Sequence, residues 1–250
     1  MFQYVANRQQ PLFAACNSTQ NYGGERHARR VYWSWKCRWK IGWQLIAQRV
    51  DLYVHDLEGG LVAEFDARGA SDGRSPAASA AVMDAMVPEM ALGKTWIEMS
   101  TTDASEVRRL AKAVEATGGE AVECPVSGGC HRADAANISI FAGCARPVFE
   151  WVLPLLTLMG RRVLHTGDLG WASILKVMTN YLTTANLLTV CEALVTMKAA
   201  GVDLDTTYEA IKISSGTSFV NETESQLILS GARDVNFTMD LVLKDIRLFQ

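Results

Sequence analysis

The chain has 250 residues, 49% of them hydrophobic and 20% charged, with a net charge of −3. These values fit a globular protein with one large or two smaller domains and exclude wholesale disorder. A slightly acidic balance argues against a dedicated nucleic-acid binder, and no apolar run approaches the ~20 residues that span a bilayer.

Cys16, Cys37, Cys124, Cys130, Cys144 and Cys191 include no C-x-x-C pair, so neither a zinc knuckle nor a redox motif is visible. Without a basic and apolar leader, they read as reduced thiols of a cytoplasmic protein.

In chain order, residues 1–28 are polar, rich in Gln and Asn, and carry no assignable element. "RRVYWSWKCRWKIGWQ" (29–44) holds four of the seven tryptophans among Lys and Arg residues, the composition of a surface for nucleic acid or membrane. "DLYVHDL" alternates as a strand does, and "EGGLVAEFDARGA" reads as a helix ending at Gly69. "SPAASAAVMDAMVPEM" is Ala-rich and helical, and "GKTWIEMST" is a short buried strand with a polar end. "DASEVRRLAKAVEATGG" is a helix with Asp103 as N-cap, Glu106 three residues on, and Gly118-Gly119 as its stop. "EAVECPVSGG" is a strand running into a glycine turn, and "ISIFAGC" and "RRVLHTG" are two further strands. This alternation to about residue 166 predicts a parallel α/β sheet.

Beyond Gly170 the pattern is helical throughout. "ASILKVMTNYLTTANLLTVCEALVTMKAAG" reads as one long helix, followed by helices in "DLDTTYEAIKISSG", "SFVNETESQLILSG" and "MDLVLKDIRLFQ".

Three stretches, "ECPVSGG" (123–129), "GDLGWASILKVMTNYL" (167–182) and "LKDIRL" (243–248), resemble in order and spacing the β-hydroxyacid dehydrogenase family, which includes 3-hydroxyisobutyrate dehydrogenase and tartronate semialdehyde reductase. The resemblance covers residue 45 to the C-terminus. It implies a Rossmann-like NAD(P) domain over 31–166 and a helical substrate and dimerisation domain over 167–250, with 1–30 unassigned. The expected fold is therefore α/β, with an incomplete Rossmann-like parallel sheet followed by an all-helical domain.

The expected activity is hydride transfer between NAD, or alternatively NADP, and a small 3-hydroxy acid. A homo-oligomer without nucleic-acid or membrane partners and without a metal is implied. Lys176 matches the catalytic lysine that exchanges a proton with the substrate oxygen. Asn180 stands at i+4, on the same helix face. Ser127, Gly128 and Gly129 match the carboxylate-binding turn, where a hydroxyl and unobstructed N–H groups suit an anion. Thr101 matches a position near the nicotinamide, and Lys244 a lysine that closes over cofactor and substrate. A helix lysine is ordinarily a solvated charge, but Lys176 stands among Ile174, Leu175, Val177 and Met178. The chain departs from the family pattern at Thr179, where an Asn is commoner, and at Ala172 and Ala136, where Gly is commoner.

A Rossmann unit opens with strand, G-x-G-x-x-G and helix, then an acidic residue about 20 positions on. Asp56 fits the ribose-binding carboxylate and favours NAD, yet the place of the glycine loop is held by the tryptophan ribbon. Trp has the single codon TGG, so a frame displaced by one nucleotide turns each Trp into Gly. In that frame residues 31–41 permit F-I-G-L-G-N-V-G-G-K-L, a strand end, the fingerprint and a helix start. Its first glycine falls at Trp33, 56 − 33 = 23 residues before Asp56. Residues up to about Gly42 therefore read as translated out of frame. By the same comparison, roughly 20 family residues are missing between Ala70 and Ser75, and the last helix stops short at Gln250. The alternatives are an inactive family remnant serving as a dimerising scaffold, and a basic, aromatic module for nucleic acid or membrane.

Overall fold

A computed structural model describes residues 3–7, 30–32, 53–55, 71–73, 87–90, 92–232 and 239–248, the first four segments through their backbone pairing. The described strands are β1 (Gln3–Asn7), β2 (Arg30–Tyr32), β3 (Tyr53–His55), β4 (Ser71–Gly73), β5 (Lys94–Glu98), β6 (Glu120–Glu123), β7 (Val126–Ser127), β8 (Ser139–Gly143) and β9 (Arg162–Gly167). The described α-helices are α1 (Ala104–Ala116), α2 (Gly129–Asp134), α3 (Arg146–Met159), α4 (Trp171–Ala199), α5 (Leu204–Lys212), α6 (Phe219–Leu229) and α7 (Met239–Arg247). The chain divides into two compact units, Met1–Lys176 and Val177–Gln250, and the division falls inside α4.

The first unit is built on one sheet in the order β4-β3-β2-β1-β5-β6-β8-β7, with β9 beside β8. β2, β3 and β4 are parallel neighbours, as are β5 and β6, and β8 and β9. The sheet is mixed rather than purely parallel. β1 runs antiparallel between β2 and β5, and β8 runs antiparallel to β6 and β7. The N-terminal segment was without an assigned element on sequence grounds. Here all five of its residues pair with β5, which removes a row of open backbone donors and acceptors from the middle of the sheet.

The core follows from strand alternation. Trp96 and Ala121 face Leu110, Ala111 and Val114 of α1 on one side of the sheet. Ile97 and Val122 face Val152, Leu155, Leu156 and Met159 of α3 on the other. Each such apolar side chain stabilises the fold by roughly 1.5–3 kcal/mol.

α1 begins where the sequence places it. The Asp103 carboxylate accepts from Ser105 N at 2.8 Å and Glu106 N at 3.1 Å. Glu106 does not reach back to complete a capping box; it pairs with Arg109 at 2.6 Å instead. "EAVECPVSGG" is two strands rather than one, because Pro125 has no N–H to donate to a ladder. Its carbonyl still accepts from Phe141 N at 3.0 Å. α3 has no counterpart in the sequence reading; Pro147 sits in its first turn and Pro154 inside it. The end of the Ala-rich stretch, Val87–Glu89, is a 3₁₀ turn that contains Pro88.

The second unit is helical. Asp203 caps α5 by accepting from Thr206 N at 2.8 Å, and Ser218 caps α6 by accepting from Asn221 N at 3.1 Å. The Gln226 amide donates to the Tyr208 hydroxyl at 2.8 Å, tying α6 to α5. Among the described residues, no helix is long and apolar enough to cross a membrane.

Candidate active site

The sheet brings several predicted residues to one edge. Gly73, His55, Tyr32, Gln3, Glu98 and Glu123 form a continuous row of paired residues across six strands. Five of them end parallel strands. Asp56 follows that row by one residue, Thr101 by three and Ser127 by four. This is the carboxyl edge of the strands, where dinucleotides bind in doubly wound sheets. Asp56, the tryptophan ribbon after Tyr32 and the region of the proposed glycine loop lie outside the described residues, as do residues 74–86. Thr101 is half-buried in the turn between β5 and α1. The aligned strand ends fit an extended nucleotide, with one difference from the expected order. β1 stands between β2 and β5, so those strands are two spacings apart, about 10 Å instead of about 5 Å.

Ser127 closes β7, and Gly128 and Gly129 turn the chain into α2 at φ 127° and 75°. Both values belong to glycine, and a Cβ on Gly128 would stand 2.8 Å from Cδ of Arg132. The turn thus sets a hydroxyl beside two residues without side chains, and the stem of Arg132 packs against Gly128. Seven residues beyond Gly129, Ala136 holds φ 49°, a left-handed conformation. This is one of the positions where the family more often has Gly, and the conformation costs an alanine roughly 1–2 kcal/mol.

α4 carries Lys176 and Asn180 one turn apart. Lys176 is only 7% exposed. The Asn180 amide donates to Oδ2 of Asp245 at 2.5 Å. Asp245 is buried, and its Oδ1 lies 2.7 Å from Nζ of Lys244, whose side chain is half-exposed. That approach is an ion pair off hydrogen-bond alignment, since Oδ1 has no hydrogen-bond partner. Asn180 and Lys244 are therefore brought together around Asp245, a residue that sequence reasoning passed over. The signal was present in "LKDIRL": an acid directly after the expected lysine, on a short amphipathic helix.

The start of α4 is held by another acid absent from the sequence expectations. Glu123, the fully buried last residue of β6, accepts from Gly170 N at 2.5 Å, Ala172 N at 3.0 Å, Ser173 N at 3.1 Å and Ser173 Oγ at 2.5 Å. Burial pushes its carboxyl above the usual range, against the downward pull of these donors. Burial also raises the thiol of Cys144 to about 12, and pushes that of Cys124 well above its usual value, so both are inert side chains of the core. His165 stacks on Phe149 at 4.5 Å and donates from Nε2 to the Cys144 carbonyl at 2.8 Å, a structural role. A concavity of about 400 Å³ between α5 and α6 holds none of the predicted residues, and Asp205 and Glu209 in its wall oppose an anionic ligand.

Comparison with known proteins decides the family. A profile described as the NAD binding domain of 6-phosphogluconate dehydrogenase matches residues 47–167. One described as NAD-binding of NADP-dependent 3-hydroxyisobutyrate dehydrogenase matches residues 170–250. The 2-(hydroxymethyl)glutarate dehydrogenase of Eubacterium barkeri is 30% identical over 225 residues, covering 82% of this chain and 75% of that protein. The chain belongs to the β-hydroxyacid dehydrogenase family. Its cofactor class is NAD(P), its substrate class a small hydroxy acid, and its chemistry that of an oxidoreductase. The fold is shared with proteins of known structure. The 3-hydroxyisobutyrate dehydrogenase of Salmonella typhimurium matches with TM-score 0.75 and 20% identity, over 87% of this chain and 83% of that one. Psf3 in complex with NADP+ and 2-OPP matches with TM-score 0.79 and 22% identity, over 87% and 84%.

Proposed function

We propose that the chain transfers a hydride between NAD(P) and a small 3-hydroxy acid of the 3-hydroxyisobutyrate kind, with Lys176 exchanging the proton on the substrate oxygen. The observation that carries this reading is a lysine almost withdrawn from solvent, one helical turn before an asparagine whose amide is fixed by a buried acid. An ammonium so placed delivers its proton to a neighbouring oxygen rather than to bulk water. Asn180 orients the hydroxyl without titrating. Ser127, Gly128 and Gly129 hold the carboxylate. Lys244 closes over substrate and cofactor. Asp56 takes the ribose, which favours NAD, and Thr101 lies beside the nicotinamide. When bound, the nicotinamide supplies the hydride acceptor or donor. This reading has residues 31–166 bind cofactor and 167–250 complete the substrate site, in a cytoplasmic homo-oligomer with no nucleic-acid or membrane partner.

Steady-state turnover of 3-hydroxyisobutyrate with NAD and with NADP tests it. Lys176→Met should lower kcat by about 10²–10⁴-fold with little change in cofactor affinity. Turnover equal to the parent chain's would overturn the assignment.

A second reading is an impaired copy that persists as a scaffold. It is favoured by a family match that begins at residue 47, just past the tryptophan ribbon, with no G-x-G-x-x-G before it. Weak or absent NAD binding by calorimetry, restored when 31–41 is recoded to the displaced frame, is its expected result. Tight binding by the chain as written would sink it.

A further inference from the structure

We infer that Glu123 is a positioning residue for Lys176: it fixes the N-terminus of α4 to the end of β6, and with it the register of the lysine against the Ser127–Gly129 turn. This rests on the catalytic reading of Lys176. The first N–H groups of a helix have no partner within it. At the start of α4 a single carboxylate takes three backbone N–H groups, those of Gly170 just before it and of Ala172 and Ser173, and the Ser173 hydroxyl as well. Ser173 is three residues before Lys176 and is buried, as is Ala172.

The carboxylate has no room to shift. A Cβ on Gly143 would run into its Oε1 and stand 2.9 Å from its Cγ, so the side chain occupies the volume that glycine leaves. The donor loop is clamped from the other side: Arg108 Nε donates to the Leu169 carbonyl at 3.1 Å, and a Cβ on Gly170 would lie 2.5 Å from the guanidinium. Glu123 is also only four residues before Ser127. One short segment therefore carries both the proposed anion-binding turn and the clamp on the lysine helix. A neutral amide at 123 would turn an N–H₂ group toward N–H donors, and the first turn of α4 would have to move.

The test reads the position of Lys176 without requiring turnover. The intact chain and Glu123→Gln are labelled with acetic anhydride, and the rate at each lysine is followed by mass spectrometry. Hydrogen exchange of the amides at 172–176 is measured in parallel. In Glu123→Gln, labelling of Lys176 and exchange of those amides should each rise about tenfold, while Lys198 and Lys212 keep their rates. Glu123→Asp, which retains the charge, should recover most of the protection. Where turnover is measurable, kcat should fall by about 10–100-fold in Glu123→Gln with KM changed less than threefold, as expected of a displaced proton carrier. Unchanged labelling and exchange overturn the inference. Should Glu123→Gln fail to fold, Ser173→Ala removes one donor and should raise Lys176 labelling about threefold; no rise is equally decisive against it. Full activity in Lys176→Met would instead overturn the catalytic reading, and the labelling result would stand apart from it.

Discussion

Glu123 and Asp245 are both buried carboxylates, one in each compact unit, and they are partnered in opposite ways. Glu123 is met by backbone N–H groups and one hydroxyl, donors that cannot leave without unwinding a helix. Asp245 is met by an amide and an ammonium at the ends of flexible side chains, and the ammonium belongs to a half-exposed lysine. An acid held by the backbone sets a distance, whereas an acid held by side chains can trade partners. The first arrangement suits architecture and the second suits a site that must admit and release a ligand.

Substitution at the two acids should separate these behaviours. Glu123→Gln leaves charge-seeking donors buried against an amide and should cost about 3 kcal/mol in denaturant unfolding of the intact chain. A cost below that of Asp245→Asn would break the contrast. Asp245→Asn keeps an acceptor for Asn180 and gives up an ion pair to a half-exposed lysine, so about 1 kcal/mol is expected from the same measurement.

Asp103 sharpens the comparison, because it also accepts helix N–H groups but does so at the surface. Asp103→Ala should cost about 1 kcal/mol, the ordinary value of an N-cap. The hydrogen bonds from Ser105 and Glu106 hold its carboxyl below the usual range. Its contribution is therefore present above the unfolded value of 3.8 and is lost as pH falls through the folded one. Acid titration of unfolding, with and without Asp103, checks the sign. Ala136→Gly isolates backbone from charge altogether: relief of a left-handed alanine should raise stability by up to about 1 kcal/mol, seen as a rise in Tm.

What the sequence made legible was local or carried by motif. Asp103 and the two glycines bound α1 because a cap and a stop are short-range signals. "GKTWIEMST" reads as a short buried strand, and α1 and α3 do cover its two faces. Lys176 and Asn180 stand out through a matching stretch, and α4 carries them one turn apart. What was missed depends on distant partners. Nothing in "QYVAN" announces a central strand, because its pairing comes from β2 and β5. Pro147 and Pro154 obscured α3, although proline is tolerated in a first turn and packing offsets the second. Glu123 meets donors 47 to 50 residues away, so its role has no local signature. Asp245 was overshadowed by the lysine beside it.

The place of β1 bears on how the chain is made. Gln3 pairs with Glu98, across 98 − 3 = 95 residues of sequence. β1 must wait until β5 has left the ribosome before that ladder can close, and such distant pairings slow folding. Until then β1 has only β2 to pair with, and the interval before β5 emerges is when a chaperone would have most to shield.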